Sequence, residues 1–430
     1  MKRYIQKIIP KSHVGRSVLV LMSGTAMAQA ITAVSMPIVT RLYTPEMIGA
    51  ISVYLSFFSF WLTLLTWRYE SALIVTENIE ESHHLFRLGC LIVILMALLA
   101  IPVLGSLQYT GVLGFDVLPS WSVLVAFLSL LGFGLYMLYR SWLLRLQETR
   151  TISLSAVARS GANALTRVMT GALNFGVSGL FFAEVLGSWF ALAAVRKRTL
   201  KLLGGDTPTW SMGKMRAAAW KYRKFVQYEL PSTLINQLSL ALPVPIVGAI
   251  YGAEAAGWFG LARLLYAIPN NQIGKSVGDV FQMALGNYLR LGEVAKGERL
   301  FNKFALRLGL IGLVPFILAI YAAPPLVPII FGEAWKEMGI IVKNMAPWMF
   351  MALVVGSLSR ALSVLQRQEL KLIYDLVSLA VVLLAYIYVS LNEMSLDKFV
   401  TFLSLSLSLT YLVYFFLIRK SIRHRVVNNY

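Results

Sequence analysis

About twelve stretches of roughly twenty apolar residues, separated by short polar connections, run through this 430-residue chain. They fall near residues 17–38, 47–67, 87–107, 118–139, 151–173, 176–195, 226–250, 256–282, 304–326, 341–362, 370–391 and 398–418. That length is what an α-helix needs to cross hydrocarbon. Lipid offers the backbone no hydrogen-bond partners, so each stretch must satisfy its own groups by coiling. The chain therefore reads as an all-α, polytopic membrane protein with about 12 transmembrane helices. With 58% hydrophobic and only 14% charged residues, it carries more apolar surface than a soluble domain could hide. Pro269 interrupts the eighth stretch and marks it as a kink, break or hinge.

Charge orients these spans. Cations crowd the amino-terminal tail (Lys2, Arg3, Lys7, Lys11, Arg16), the loop 140–150 (Arg140, Arg145, Arg150) and the segment 196–224. The stretches 290–307, 360–371 and 419–425 are also basic, whereas the alternate connections hold Arg41, Lys336, Lys343 and Lys398. The positive-inside rule then places both termini in the cytoplasm. The net charge of +19 is mostly this topology signal, and no contiguous basic domain invites nucleic acid. Ala26-Met27-Ala28 resembles a signal-peptidase site, but the apolar run continues to Val39, so an uncleaved first span is expected. Cys90 lies in a span and is expected to be a packing residue. His83 and His84 are expected in an exposed loop; with no cysteine cluster beside them, no metal site is expected. No Walker-type phosphate loop is present, so neither ATP hydrolysis nor a cofactor is expected.

The chain also repeats itself. Residues 37–49 set above residues 245–257 agree at six of thirteen positions, sharing proline, Ile-Val, tyrosine, glutamate and glycine. The same offset puts Gln29 over Gln237, and a looser echo aligns Leu146-Gln147 with Leu365-Gln366. Two six-helix lobes of like topology follow, 1–195 and 225–430, joined by a basic cytoplasmic linker, 196–224. The linker holds a turn at Gly204-Gly205-Asp206-Thr207-Pro208 and is expected to continue into an amphipathic segment. Parallel repeats of this kind handle substrate between them near the bilayer midplane.

Four cations lie where hydrocarbon is expected: Arg159, Arg167, Arg263 and Lys275. Each costs from about 3 to more than 10 kcal/mol there unless it faces water, pairs with an acid or binds an anion. Arg159 and Arg167 flank Asn163 on the fifth span, about 80° apart on adjoining faces. They either face a cavity or pair with an acid such as Glu184 or Glu70, and the sequence leaves both open. Arg263 and Lys275 flank Pro269-Asn270-Asn271-Gln272, where backbone carbonyls freed by the proline need partners; this segment is the best candidate for polar substrate contacts or a hinge. Lys275 has Asp279 one turn on as a natural partner, so Arg263 is the stronger anion ligand. Arg41 ends the first span, where it either lines an exit or reaches to the interface. Asp375, Asp279, Glu184 and Glu229 are candidates for carrying a coupling ion, with pairing to cations as the simpler alternative.

Gln29, the stretch Arg41-Leu42-Tyr43-x-Pro45-Glu46-x-x-Gly49, Arg68-Tyr69-Glu70-Ser71-Ala72, Phe331-Gly332-Glu333-Ala334-Trp335 and Gln366-Arg367-Gln368 carry a resemblance. In their order and spacing they resemble the polysaccharide-transporter branch of the multidrug/oligosaccharidyl-lipid/polysaccharide exporter superfamily, the O-antigen and capsule repeat-unit flippases. The resemblance implies two six-helix lobes around a V-shaped cavity. It also implies flipping of undecaprenyl-diphosphate-linked oligosaccharide from the cytoplasmic to the periplasmic leaflet of a bacterial inner membrane. The partners implied are that lipid-linked substrate, membrane lipid and the polymerase and chain-length proteins of the same pathway; a monomer suffices mechanically. A cation-coupled multidrug exporter of the same superfamily is the alternative, disfavoured by the stranded cations. An enzyme of the pathway would carry a larger outside loop than the one near 327–340.

Overall fold

The computed structural model describes residues 13–203, 211–270 and 274–427, and every regular element among them is helical. In chain order the α-helices are α1 (His13–Leu42), α2 (Pro45–Leu64), α3 (Tyr69–Ile74), α4 (Ile79–Thr110), α5 (Ser122–Arg145), α6 (Thr149–Ala172), α7 (Val177–Leu203) and α8 (Met212–Lys221). They continue with α9 (Leu230–Ala241), α10 (Pro243–Pro269), α11 (Lys275–Arg290), α12 (Val294–Ile317), α13 (Ala323–Phe331), α14 (Lys336–Leu358), α15 (Ala361–Val364), α16 (Gln368–Asn392) and α17 (Leu396–Val427). Wider π-helical turns cover Phe225–Glu229 and Leu318–Ala322.

Among the described residues, 10 stretches are long and apolar enough to cross a membrane, and the chain is a multi-pass membrane protein. Two of the expected spans do not stand separately by that measure. α6 matches the expected span 151–173 to within a residue or two, but Arg150, Arg159 and Arg167 leave it too polar to qualify. The seventh span and the start of the eighth share one 43-residue stretch, Phe225–Ala267. Straight, it would be about 65 Å long at 1.5 Å per residue, twice the hydrocarbon thickness. Gly252 breaks it: at φ 87° and ψ 174° it leaves helical geometry in a region open to glycine.

The chain divides into two compact units, Met1–Gln237 and Leu238–Tyr430. In the first, α6 packs along α1 and α7, α7 along α5, and α5 along α4. The α1–α6 contact is nearly backbone on backbone. A Cβ on Gly24 would collide with the Cβ and Cα of Ser153, whose hydroxyl donates to the Val20 carbonyl at 2.6 Å. Tyr136, Leu143, Ile152, Leu192 and Val195 form a buried core beside it. In the second unit α14 is central, against α17, α13, α12 and α10. Phe281, Leu285, Phe301, Val355, Leu358 and Ile418 are buried there. Val34, Leu98, Leu384 and Leu409 are exposed apolar side chains, suited to contact with lipid.

Two local devices occur in each unit. Tyr43 ends α1 and donates its hydroxyl to the Arg167 carbonyl at 2.8 Å; Tyr251, its repeat counterpart, donates to the Met394 carbonyl at 2.8 Å. Gln147 and Gln366 both take left-handed φ, 58° and 56°. In each case the next amide reaches back to close the helix end, Glu148 N–H to Leu143 at 2.9 Å and Arg367 N–H to Leu362 at 2.8 Å. The Phe331–Trp335 motif ends α13 differently: Gly332 takes φ 105° and ψ 159°, open to glycine, and Trp335 after it is fully buried.

Three expectations need comment. His83 and His84 are buried rather than exposed, because α4 begins at Ile79, earlier than the apolar run suggests, and the His83 ring packs 4.9 Å from that of Trp142. The segment 327–340 is largely helical rather than a loop. The expected turn at Gly204–Pro208 lies outside the described residues.

Candidate functional site

In the first unit, α6 and α7 bring three side chains onto one buried carboxylate. Glu184 is 4% exposed. Asn163 Nδ2 donates to its Oε1 at 2.6 Å and Arg167 Nη2 to the same oxygen at 2.8 Å. Arg159 Nη2 stands 3.5 Å from Oε2, and its guanidinium lies 4.5 Å from the Phe133 ring centroid. Residues 159, 163 and 167 succeed one another at i, i+4 and i+8, which turns all three toward α7. Two cations on one anion leave a surplus positive charge. Arg159 carries it toward a cavity of about 510 Å³ that also exposes Ser59, Thr63, Arg68, Arg140 and Gln237.

Arg68 enters that cavity from an unusual backbone. Trp67 and Arg68 have φ of 50° and 65°, a conformation costing a non-glycine residue about 1–2 kcal/mol. Its guanidinium is held by Glu70 at 3.0 Å and by Glu229 on the π-helical turn. Thr66 donates to Glu70 in turn. Arg140, also in the wall, has no ion pair among the described residues.

In the second unit a cavity of about 340 Å³ is lined by Arg263 and Asn270 of the α10 region, Trp348, Ser357 and Arg360 of the α14 region, and Tyr411 of α17. Arg263 has no ion pair among the described residues. Arg360 is paired with Asp279 of α11 and passes over Gly278, where a Cβ would meet its Nε at 2.8 Å. The missing side chain at Gly278 is thus what lets Arg360 reach the cavity. Tyr266 fixes α10 to α14 by donating to the Val342 carbonyl at 2.7 Å.

The other expected site residues fall as follows. Asn271 and Gln272 lie outside the described residues, as does the side chain of Lys275. Pro269 is the last residue of α10 and α11 begins at Lys275; Asn270 and Gly274, on either side of the undescribed residues, both keep right-handed helical angles, at φ −61° and −60°. Asp279, expected to pair with Lys275, reaches Arg360. Asp375 is 1% exposed on α16, with Lys371 Nζ 3.3 Å from Oδ2 and the stacked rings of Tyr374 and Tyr414 beside it. Glu229 is on Arg68, and Arg41 is exposed in the last turn of α1. Arg68, Arg140 and Arg360 were not anticipated as cavity residues. Arg140 and Arg360 count as loop cations by sequence, and the signal for them was their place within one turn of an apolar run.

Comparison with known proteins gives a family and a fold. A family model described as polysaccharide biosynthesis protein matches residues 38–340. The succinoglycan biosynthesis transport protein ExoT of Rhizobium meliloti (strain 1021) is 24% identical over 309 residues, which are 70% of this chain and 59% of that protein. The chain thus matches less than two thirds of that relative's length. Among solved structures, the lipid II flippase MurJ in an inward closed conformation superposes with a TM-score of 0.72 at 12% identity, covering 95% of this chain and 90% of that one. An inward-facing multidrug resistance MATE family transporter of the MOP superfamily gives 0.71 at 15% identity, with 95% and 98% covered. A MOP superfamily transporter from Pyrococcus furiosus, described by a binding pocket of reverse polarity, gives 0.59 at 15% identity, with 95% and 96% covered. At these identities the likeness is one of fold.

Proposed function

We propose that this chain, which belongs to the polysaccharide biosynthesis protein family, is a flippase. It moves undecaprenyl-diphosphate-linked oligosaccharide repeat units, of O-antigen, capsule or exopolysaccharide type, from the cytoplasmic to the periplasmic leaflet by alternating access. The observation that carries this reading is Arg263, a cation without a carboxylate partner among the described residues, in the wall of a cavity that Asn270, Ser357 and Tyr411 also line. A membrane protein keeps such a charge where something anionic or aqueous meets it. A diphosphate suits it, since guanidinium forks bond phosphate oxygens in pairs and stay charged. Asn270, Ser357 and Tyr411 offer hydrogen bonds to sugar hydroxyls in the same cavity. In the first unit Arg159, Arg140 and Arg68 offer a second cationic cavity.

The reading carries its architecture with it: lobes 1–195 and 225–430 joined by the linker 196–224, twelve spans, both termini cytoplasmic and a monomer in a bacterial inner membrane. On this reading the protein is a carrier and not an enzyme. Asp375, with Lys371 as its cation, is the best placed of the carboxylates for ion coupling. A multidrug exporter is the second reading, favoured by fold likeness alone; a cationic drug would find Arg263 repulsive.

The test is leaflet exchange of a fluorescent undecaprenyl-diphosphate oligosaccharide in proteoliposomes. Arg263→Ala removes a charge-assisted contact worth about 1.5–3 kcal/mol, so exchange slows roughly 10- to 100-fold. Arg263→Lys keeps part of the activity. Exchange within about twofold of the parent, a free-energy change near 0.4 kcal/mol, removes Arg263 from the mechanism. Efflux of cationic dyes in place of exchange selects the exporter.

A further inference from the structure

α8 lies between two membrane stretches, Val177–Leu202 before it and Phe225–Ala267 after it. Its two faces differ. On one, Met215 and Ala218 are buried. Lys214 Nζ donates to Glu80 at 2.6 Å, and Lys221 Nζ donates to Glu81 at 2.7 Å and to Glu77 at 3.2 Å. The Tyr222 hydroxyl donates to Glu81 at 3.0 Å, and that of Tyr69 donates to the Ala219 carbonyl at 3.3 Å. These contacts pin α8 to the start of α4.

The opposite face is open. Met212, Arg216 and Trp220 succeed one another at i, i+4 and i+8 along the helix. Met212 is 73% exposed and Trp220 67%. The Arg223 guanidinium stacks 4.0 Å from the Trp220 ring centroid. Arg216, Arg223 and Lys224 have no carboxylate partner among the described residues, and residues 211–228 contain no acid at all. A face that mixes unpaired cations with an exposed tryptophan and methionine is poorly matched to water. It is also poorly matched to hydrocarbon. It matches the headgroup layer, where indole rings settle and arginine stems extend along apolar surface. Lys221 ends α8 and Phe225 opens the next apolar stretch, so that layer is within immediate reach.

We propose that the Met212–Arg216–Trp220–Arg223 face of α8 docks on anionic phospholipid headgroups at this rim of the membrane. The apolar members of the face choose lipid over an acidic protein partner, because charge alone would not require Met212 and Trp220 beside it. The pinned face holds α8 still, so lipid meets a preformed surface.

The experiment places a nitroxide at Met212→Cys in a Cys90→Ser background, in vesicles of phosphatidylcholine with and without phosphatidylglycerol. Collision with oxygen is expected to rise, and with a water-soluble nickel chelate to fall, when phosphatidylglycerol is present. Reversing Arg216, Arg223 and Lys224 to glutamate is expected to restore the water-exposed values. The milder Arg216→Gln with Arg223→Gln lowers the docked-to-free ratio roughly fivefold for each cation removed. A label at Leu98→Cys, on the lipid-facing side of α4, reports that the fold is intact; if the triple reversal fails this check, the glutamine pair decides. A Met212 label equally water-exposed in both vesicles overturns the proposal. So does one equally shielded in both and indifferent to charge, the result a protein-covered face would give.

Discussion

Replacing Glu184 by glutamine tests the buried cluster most directly. The side chain keeps its shape and one carbonyl oxygen but loses the charge shared by Arg159 and Arg167. Breaking a buried pair by removing one partner typically costs about 3–5 kcal/mol. Here the remaining cations are not equally stranded: the Arg159 side chain is 33% exposed toward its cavity, whereas Arg167 is 16% exposed. Arg159 can hydrate and Arg167 largely cannot, so Glu184→Gln should fall below that range, at about 2–3 kcal/mol. Arg167→Gln alone leaves Glu184 with Arg159 and Asn163 and should cost about 1.5 kcal/mol. The double variant should be less destabilised than the sum, with a coupling of about 1.5–2 kcal/mol. Denaturant unfolding in bicelles, followed by circular dichroism, measures all three. A Glu184→Gln loss below about 0.5 kcal/mol, or additivity within that margin, would refute the idea that this carboxylate holds α6 and α7 together.

Other outcomes follow from single contacts. Tyr43→Phe and Tyr251→Phe each lose one hydroxyl-to-carbonyl bond and should each lower stability by about 0.5–1.5 kcal/mol in the same assay. Gly24→Leu drives a side chain into the backbone of Ser153 and should cost about 1–3 kcal/mol or more, whereas Gly309→Leu, where nothing lies within 4 Å, should be nearly silent. The Glu81 carboxylate, hydrogen-bonded to Lys221, holds that ammonium above the usual lysine range. A raised folded pKa gives stability that is complete below the unfolded value and lost as pH rises through the folded one. The α8–α4 clasp should therefore persist through the ordinary lysine titration and open only above it, read by a spin label at Ala217→Cys.

Much of the fold was legible because the membrane imposes one length and one secondary structure on every crossing. Apolar run length located the helices, and loop cations suggested their direction. The tyrosine and glutamine pairs of the repeat were visible as letters, and their shared geometry at Tyr43 and Tyr251, and at Gln147 and Gln366, gives those letters a physical reason. Run length fails where a helix is polar or outruns its apolar core. α6 is too polar to register, and the buried His83 and His84 looked like loop because α4 extends past its apolar core. Pairing is the harder problem. Glu184 was a candidate partner for Arg159 and Arg167 from composition alone, but Glu70 was equally eligible and goes to Arg68. Nothing local told Asp279 to prefer Arg360, because that choice depends on Gly278 leaving room.

The polarity of α6 also bears on how the chain enters the bilayer. Presented alone to the insertion machinery, a segment with Arg159 and Arg167 at its centre would be rejected, each arginine costing about 2.5–3.5 kcal/mol on the insertion scale. α7 follows after a connection of only a few residues and brings Glu184, to which both arginines bind. On the proposed twelve-span reading, in which α6 crosses the bilayer, the pair would be a unit of biogenesis: α6 is translated first but would commit to the membrane when its hairpin partner arrives with the neutralising charge. On that reading a ribosome stalled before Glu184 emerges would leave α6 outside the lipid, and the carboxylate that both arginines bind in the folded chain would also decide whether its fifth crossing is made.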